Sequence, residues 1–300
     1  MLLRAMRWVH RQRAHFRDNS AMNILALDTS TQHASIALRS GEASWQAELP
    51  NASKTSATII PRCLEALEAL SLSFADLHAI VYTKGPGAFT GLRTAVSVAQ
   101  GFALAQSIPT LGFSTLQCLA QTARLQGHAH ERVVCALDAR MQQVYWGSYR
   151  WHPQQWVCHN APQLASESAS QWPQPWQDMT SPTLIVGNAL AVNAQQVPLN
   201  WGANLNLTWC FCEPSALGLL VLAQQYLASR EAAKIGQGDD AVNASPRFKG
   251  PPEPPFLDPV VLGRPTPWYL RDQVAQTTLE RAQAHALTIP QVSSPDRDHA

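Results

Sequence analysis

The 300-residue chain has no run of about 18–20 consecutive apolar residues, which excludes a membrane-spanning helix. It also has little charge. Only 14% of its residues are Asp, Glu, Lys or Arg, and the formal net charge is +1. Three nucleotide and catalytic signatures are missing: the G-x-x-x-x-G-K-[ST] phosphate loop, the G-x-G-x-x-G dinucleotide turn and the G-x-S-x-G nucleophile elbow. The six cysteines (Cys63, Cys118, Cys135, Cys158, Cys210, Cys212) form no C-x-x-C pair, and several lie in apolar runs such as VVCALD. That pattern reads as reduced thiols packed in a core, in a cytoplasmic chain. Cys210 and Cys212 would share one face of a strand, but two thiols without further ligands nearby do not make a metal site. His128 and His130 form an H-x-H in a loop, and the other histidines stand apart. No metal site is expected.

What charge there is lies unevenly. Residues 1–21 hold Arg4, Arg7, Arg11, Arg13 and Arg17 against Asp18, a segment of +4, which leaves −3 for the remainder. A weakly acidic body does not suit autonomous nucleic-acid binding, which depends on neutralising phosphates. The basic segment reads as an extension upstream of the true start at Met22, because MNILALDTST opens straight into a strand. A transit peptide or a basic arm remains an alternative.

NILALDTST reads as a buried strand ending at Asp28, with QHASIALRSG as its hairpin partner. A helix is expected over residues 54–70, with a kink possible at Pro61. A strand over 78–83, a glycine loop and a second helix to about Gln106 follow. Mid-chain, ERVVCALDARMQQVYWGSY repeats the opening unit, with Asp138 in the place of Asp28. Two α/β halves, each opened by a strand-turn-strand unit, predict an actin-like (ASKHA, ribonuclease H-like) fold. The boundaries expected are 22–125 and 126–275. The second half includes WHPQQWVCHNAP, read as a connection, and a proline-rich segment over 245–267. The tail, 276–300, is expected to be disordered.

KGPGAFTGLRT (Lys84–Thr94) puts three glycines and a proline into seven residues between strand and helix. Pro86 removes an N–H that a phosphate cradle would use, so the loop reads as a packing bend. Gly85 and Gly87 turn the chain, Pro86 stiffens it, and Gly91 lets the helix start close to a neighbour. The helix after it carries two apolar faces. One is Leu92, Val96, Ala99 and Ala103; the other is Ala95, Val98, Phe102 and Ala105. Only Arg93, Ser97 and Gln100 form a polar stripe. The first helix has the same excess: Ile60, Leu64 and Leu67 on one side, Ile59, Cys63, Ala66 and Leu70 on the other. A surface helix buries one face. These two either sit deep in the chain's own core or pair with a partner.

Together, GPGAFTGLR after AIVYT, MNILALDTST, ALDARMQQVYWGSY and PWYLR resemble the TsaB (YeaZ) family, from about Met22 to Ala275. The family's usual loop is GPGSFTGLR, so Ala88 departs mildly from it. The resemblance implies the actin-like fold and a role as dimerisation subunit for TsaD. TsaD moves a threonylcarbamoyl group onto N6 of the adenosine next to the anticodon of tRNAs. TsaC makes the activated donor, and TsaE with ATP supports turnover. The resemblance implies pairing with TsaD through the first two helices, so Ile59, Ile60, Cys63, Leu64, Leu67, Leu92, Ala95, Val96, Ala99 and Phe102 are the expected interface. A homodimer is expected where TsaD is absent, and Ala99→Arg or Phe102→Asp should abolish association without unfolding the chain. Gly85, Pro86, Gly87, Phe89, Thr90, Gly91 and Arg93 match the family loop.

No catalysis by this subunit itself is expected. The H-x-x-x-H metal motif of the family's catalytic subunit is absent. The actin-like phosphate loop is normally D-x-G-[ST], whereas Asp28-Thr29-Ser30-Thr31 has no glycine. Asp28, Thr29 and Ser30 remain possible nucleotide contacts, with a capping role for Asp28 as the alternative. No cofactor is expected on the chain; ATP belongs to the pathway. The alternative function is a small-molecule kinase or ATPase of the same fold.

Overall fold

A computed structural model of the chain describes residues 22–49, 55–141, 143–166, 175–176, 180–189, 206–235 and 265–270. The basic extension, residues 245–264 of the proline-rich segment and the tail lie outside the described residues. The described residues all lie in one compact unit.

Two five-stranded sheets organise the described residues. The first holds β1 (Asn23–Asp28), β2 (Ser35–Ser40), β3 (Ala43–Glu48), β4 (Ala79–Gly85) and β5 (Thr110–Ser114), in the order β3-β2-β1-β4-β5. The second holds β6 (Arg132–Asp138), β7 (Gln143–His152), β8 (Gln155–Ser166), β9 (Thr183–Val186) and β10 (Leu207–Cys210), in the order β10-β9-β6-β7-β8. Read from the other edge, the second order repeats the first strand for strand. In each half an antiparallel three-stranded meander is followed by two parallel strands. The duplication in the sequence is therefore a duplication of topology. One detail differs: Asp28 pairs with Ser35 and Asp138 with Val144, so the second hairpin is one residue shorter between partners.

Among the described residues, four α-helices cover these sheets: α1 (Thr55–Ala69), α2 (Phe89–Gln106), α3 (Thr115–Leu125) and α4 (Ala216–Ile235). Side chains on β1 alternate with the strand period of two. Leu25 and Leu27 face a core shared with Ile59, Cys63 and Ala66 of α1 and Ala95, Val96 and Ala99 of α2. Ile24 and Ala26 face the opposite way, into a core that also takes Leu116 and Leu119 of α3, Leu219 and Leu222 of α4, and Val133 and Cys135 of β6. So α3 and α4 form a middle layer between the sheets. On the far face of the second sheet, Val134, Ala136, Val144 and Trp146 pack with Trp176 and Ile185. Among the described residues no helix is long and apolar enough to cross a membrane.

The segment WHPQQWVCHNAP, read as a connection, is a correction: most of it forms edge strand β8. Pro162 is tolerated there because an edge strand can spare an N–H. At Pro61, α1 runs on without a break from Thr55 to Ala69.

Candidate functional site

The glycine loop leaves β4 at Gly85 and enters α2 at Phe89. Gly85 has φ +128°, a conformation costly for any side chain, and the Gly85–Pro86 peptide is cis. The Ala88 N–H donates to the Ser30 carbonyl at 2.7 Å. A Cβ on Gly87 would overlap Ser30 O, one on Gly91 would overlap Thr29 O, and one on Gly85 would overlap Trp268 O. The loop is a packing bend, but its neighbours are backbone rather than a second helix. Two are the carbonyls of the turn after β1, and the third belongs to residues 265–270. Gly101 of α2, by contrast, has open space where a Cβ would stand.

That turn is consumed from within. The Thr29 hydroxyl donates to Gly91 O at 2.6 Å. Asp28 Oδ1 accepts from the Ser30 hydroxyl at 2.7 Å, the Ser30 N–H at 3.1 Å and the Thr83 hydroxyl at 2.7 Å. Asp28, Thr29 and Ser30 are 0%, 1% and 1% exposed. Asp28 Oδ1 ties the strand end, the turn and β4 together, and none of the three side chains proposed as nucleotide contacts reaches an open surface. Burial pushes the Asp28 carboxyl above its ordinary value. The Thr83 and Ser30 hydrogen bonds oppose that rise, and the Glu213 charge adds to it.

The expected interface separates into two sets. Ile59, Cys63, Leu67, Leu92, Ala95, Val96 and Ala99 are 0–4% exposed and lie inside the chain's own core. They cannot touch a partner, and this corrects the expectation that Ala99→Arg spares the fold. The reason is the sheet, which both helices cover along those stripes. Ile60 and Leu64 of α1 are 44% and 51% exposed, and Phe102 of α2 is half-buried. Phe102 packs on Phe74 with ring centroids 4.3 Å apart, so it also serves the chain's own core. Sequence reading passed over Leu104, 82% exposed on α2. Its only signal was an apolar residue one turn after Gln100, on the polar stripe of the helix.

Elsewhere, Asp138 is held by Arg140, whose N–H donates to Oδ1 at 2.6 Å and whose guanidinium lies 3.1 Å from Oδ2. Cys210 Sγ lies 3.1 Å from His128 Nε2, while Cys212 is buried and its thiol is pushed up to about 12 by burial. Among the described residues no three His, Cys, Asp or Glu side chains could hold a metal together.

Sequence and structure comparisons place this geometry. Residues 50–237 match the family model described as TsaD, tRNA N6-adenosine threonylcarbamoyltransferase. The chain is 36% identical over 162 residues to the Escherichia coli tRNA threonylcarbamoyladenosine biosynthesis protein TsaB, covering 52% of this chain and 69% of that one. It is 33% identical over 215 residues to the Haemophilus influenzae protein of the same name, covering 69% and 87%. The solved structure of YeaZ from Pseudomonas aeruginosa superimposes with a TM-score of 0.61 at 31% identity, covering 70% of this chain and 94% of that chain. The actin-like fold expected from the duplicated halves agrees with these neighbours and with the paired sheet topology. With its glycine loop folded as a backbone packing bend, and with relatives matched over most of their length, the chain belongs to the TsaB (YeaZ) family.

Proposed function

We propose that this chain acts in tRNA threonylcarbamoyladenosine biosynthesis as a non-catalytic partner that binds and activates TsaD. The observation that carries the reading is the outer surface of α1 and α2. Ile60, Leu64 and Leu104 stand 44%, 51% and 82% exposed on two adjacent helices whose inner stripes already fill the core. Large apolar side chains left out on helices that need no further cover are what a partner interface uses. The names of the relatives supply the pathway, and the TsaD partnership follows from the family resemblance. TsaE joins through the complex, tRNA is met by the complex rather than by this chain alone, and the setting is cytoplasmic.

The kinase or ATPase reading is not favoured. Its phosphate turn would be Asp28-Thr29-Ser30, whose hydroxyls are spent on Gly91 and Asp28. The test is association. Purified chain and TsaD, mixed and resolved by size-exclusion chromatography with light scattering, should give a heterodimer, and the chain alone a homodimer or monomer. Separate elution of the two proteins at micromolar concentration would overturn the reading.

A further inference from the structure

Helix α2 carries Leu104, one of the three exposed large apolar side chains on the helix pair, yet is anchored in the core on one side only. Its polar stripe, Arg93, Ser97 and Gln100, faces away from that core and continues to the exposed Leu104, four residues after Gln100. Residues 265–270 lie against it. Gln100 Nε2 donates to Pro265 O at 2.5 Å. Arg93 Nε donates to the Tyr269 hydroxyl at 2.9 Å. The Arg93 guanidinium stands 3.8 Å above the Phe89 ring, and the Phe89 and Tyr269 rings are 4.9 Å apart. Arg93 and Gln100 are seven residues apart, two turns on one helix face. The segment is fastened at its own backbone too: the Trp268 N–H donates to Lys84 O at 2.6 Å, one residue before Gly85. Gly85 has no Cβ where the Trp268 carbonyl passes. A stretch 165 residues further along the chain than Gln100 thus grips the helix at both ends of its polar stripe.

We infer that residues 265–270 are a clamp on α2, with Arg93, Gln100, Trp268 and Tyr269 as positioning residues. The clamp holds the helix in the geometry that a partner meets. Its effect on partner binding rests on the TsaD reading given above; its effect on the helix does not. Ordering an interface helix in advance removes a cost that association would otherwise bear. Releasing the clamp therefore weakens binding without any loss of contact area.

The test uses the full chain carrying Tyr269→Ala with Gln100→Ala, and Thr266→Ala as control, because that side chain is exposed. Hydrogen exchange of the α2 amides should accelerate in the double variant and not in the control. Affinity for TsaD should fall roughly tenfold, the effect of losing two hydrogen bonds that order the helix. Tyr269→Phe, which removes one hydroxyl and keeps the ring, serves if the double variant fails to fold, and should show a smaller acceleration. Unchanged α2 exchange overturns the clamp, and faster exchange with unchanged affinity overturns its role in binding. Failure of the wild-type chain to bind TsaD would reject the partner reading instead, and the exchange comparison would still decide the clamp.

Discussion

Replacing Ile60, Leu64 and Leu104 together with serine should dissolve the TsaD complex while leaving the chain folded. Fully burying an aliphatic side chain is worth about 1.5–3 kcal/mol, in proportion to the area removed from water. Ile60 and Leu64 are already about half covered at 44% and 51% exposure, and Leu104 is nearly bare at 82%. Each of the first two then offers a partner about 1 kcal/mol and Leu104 about 2 kcal/mol. The three together come to about 4 kcal/mol, several hundredfold or more in Kd. The monomer should lose little, because exposed substitutions usually stay within about 0.5 kcal/mol. Calorimetric titration of TsaD with wild-type and triple-variant protein, beside thermal melts of both, measures each quantity. Affinity unchanged within threefold, with both proteins folded, would refute the placement of the interface.

Three further outcomes are expected. Ala99→Arg or Ile59→Asp, at positions 0% exposed, should unfold the chain by leaving a charge in the core, at a cost above about 4 kcal/mol; a cooperative melt close to wild type would contradict this. Gly91→Ala should lower stability by about 1–3 kcal/mol, because α2 must move away from the Thr29 carbonyl, and denaturant titration reads the change. Asp28 has its carboxyl raised above the ordinary 3.8 by burial, so the folded state favours its protonated form. Relative to Asp28→Asn, the wild type should be most stable below pH 3.8 and should lose that advantage as pH rises through the raised value. A difference in melting temperature that does not vary with pH would refute it.

The duplicated hairpins were legible because β1 and β6 alternate or run apolar to a terminal aspartate, a pattern that pairing and burial enforce. Strand β3 was not, since ASWQAE is mostly exposed. Nor was β8, an edge strand with Pro162 and register shifts around Ser148. The two doubly apolar helices were recognised, but periodicity does not say which face is covered by the chain itself. Seven of the ten expected interface residues went to the sheet, and only exposure separates them from Ile60 and Leu64. The glycines announced a close approach without saying to what. Thr29 lies 62 residues away from Gly91, and the Trp268 carbonyl comes from near the other end of the chain. Contacts at such separation leave no local pattern to read.

The most direct measurement is threonylcarbamoyl-adenosine formed on tRNA by purified TsaC, TsaD and TsaE, with this chain added, omitted, or replaced by the Ile60, Leu64 and Leu104 triple variant. A parallel reaction would contain the chain and omit TsaD. The account predicts product only where TsaD and the wild-type chain are both present, and little with the triple variant. Product without TsaD would place the chemistry on this chain, and product independent of the chain would contradict its role as the activating partner.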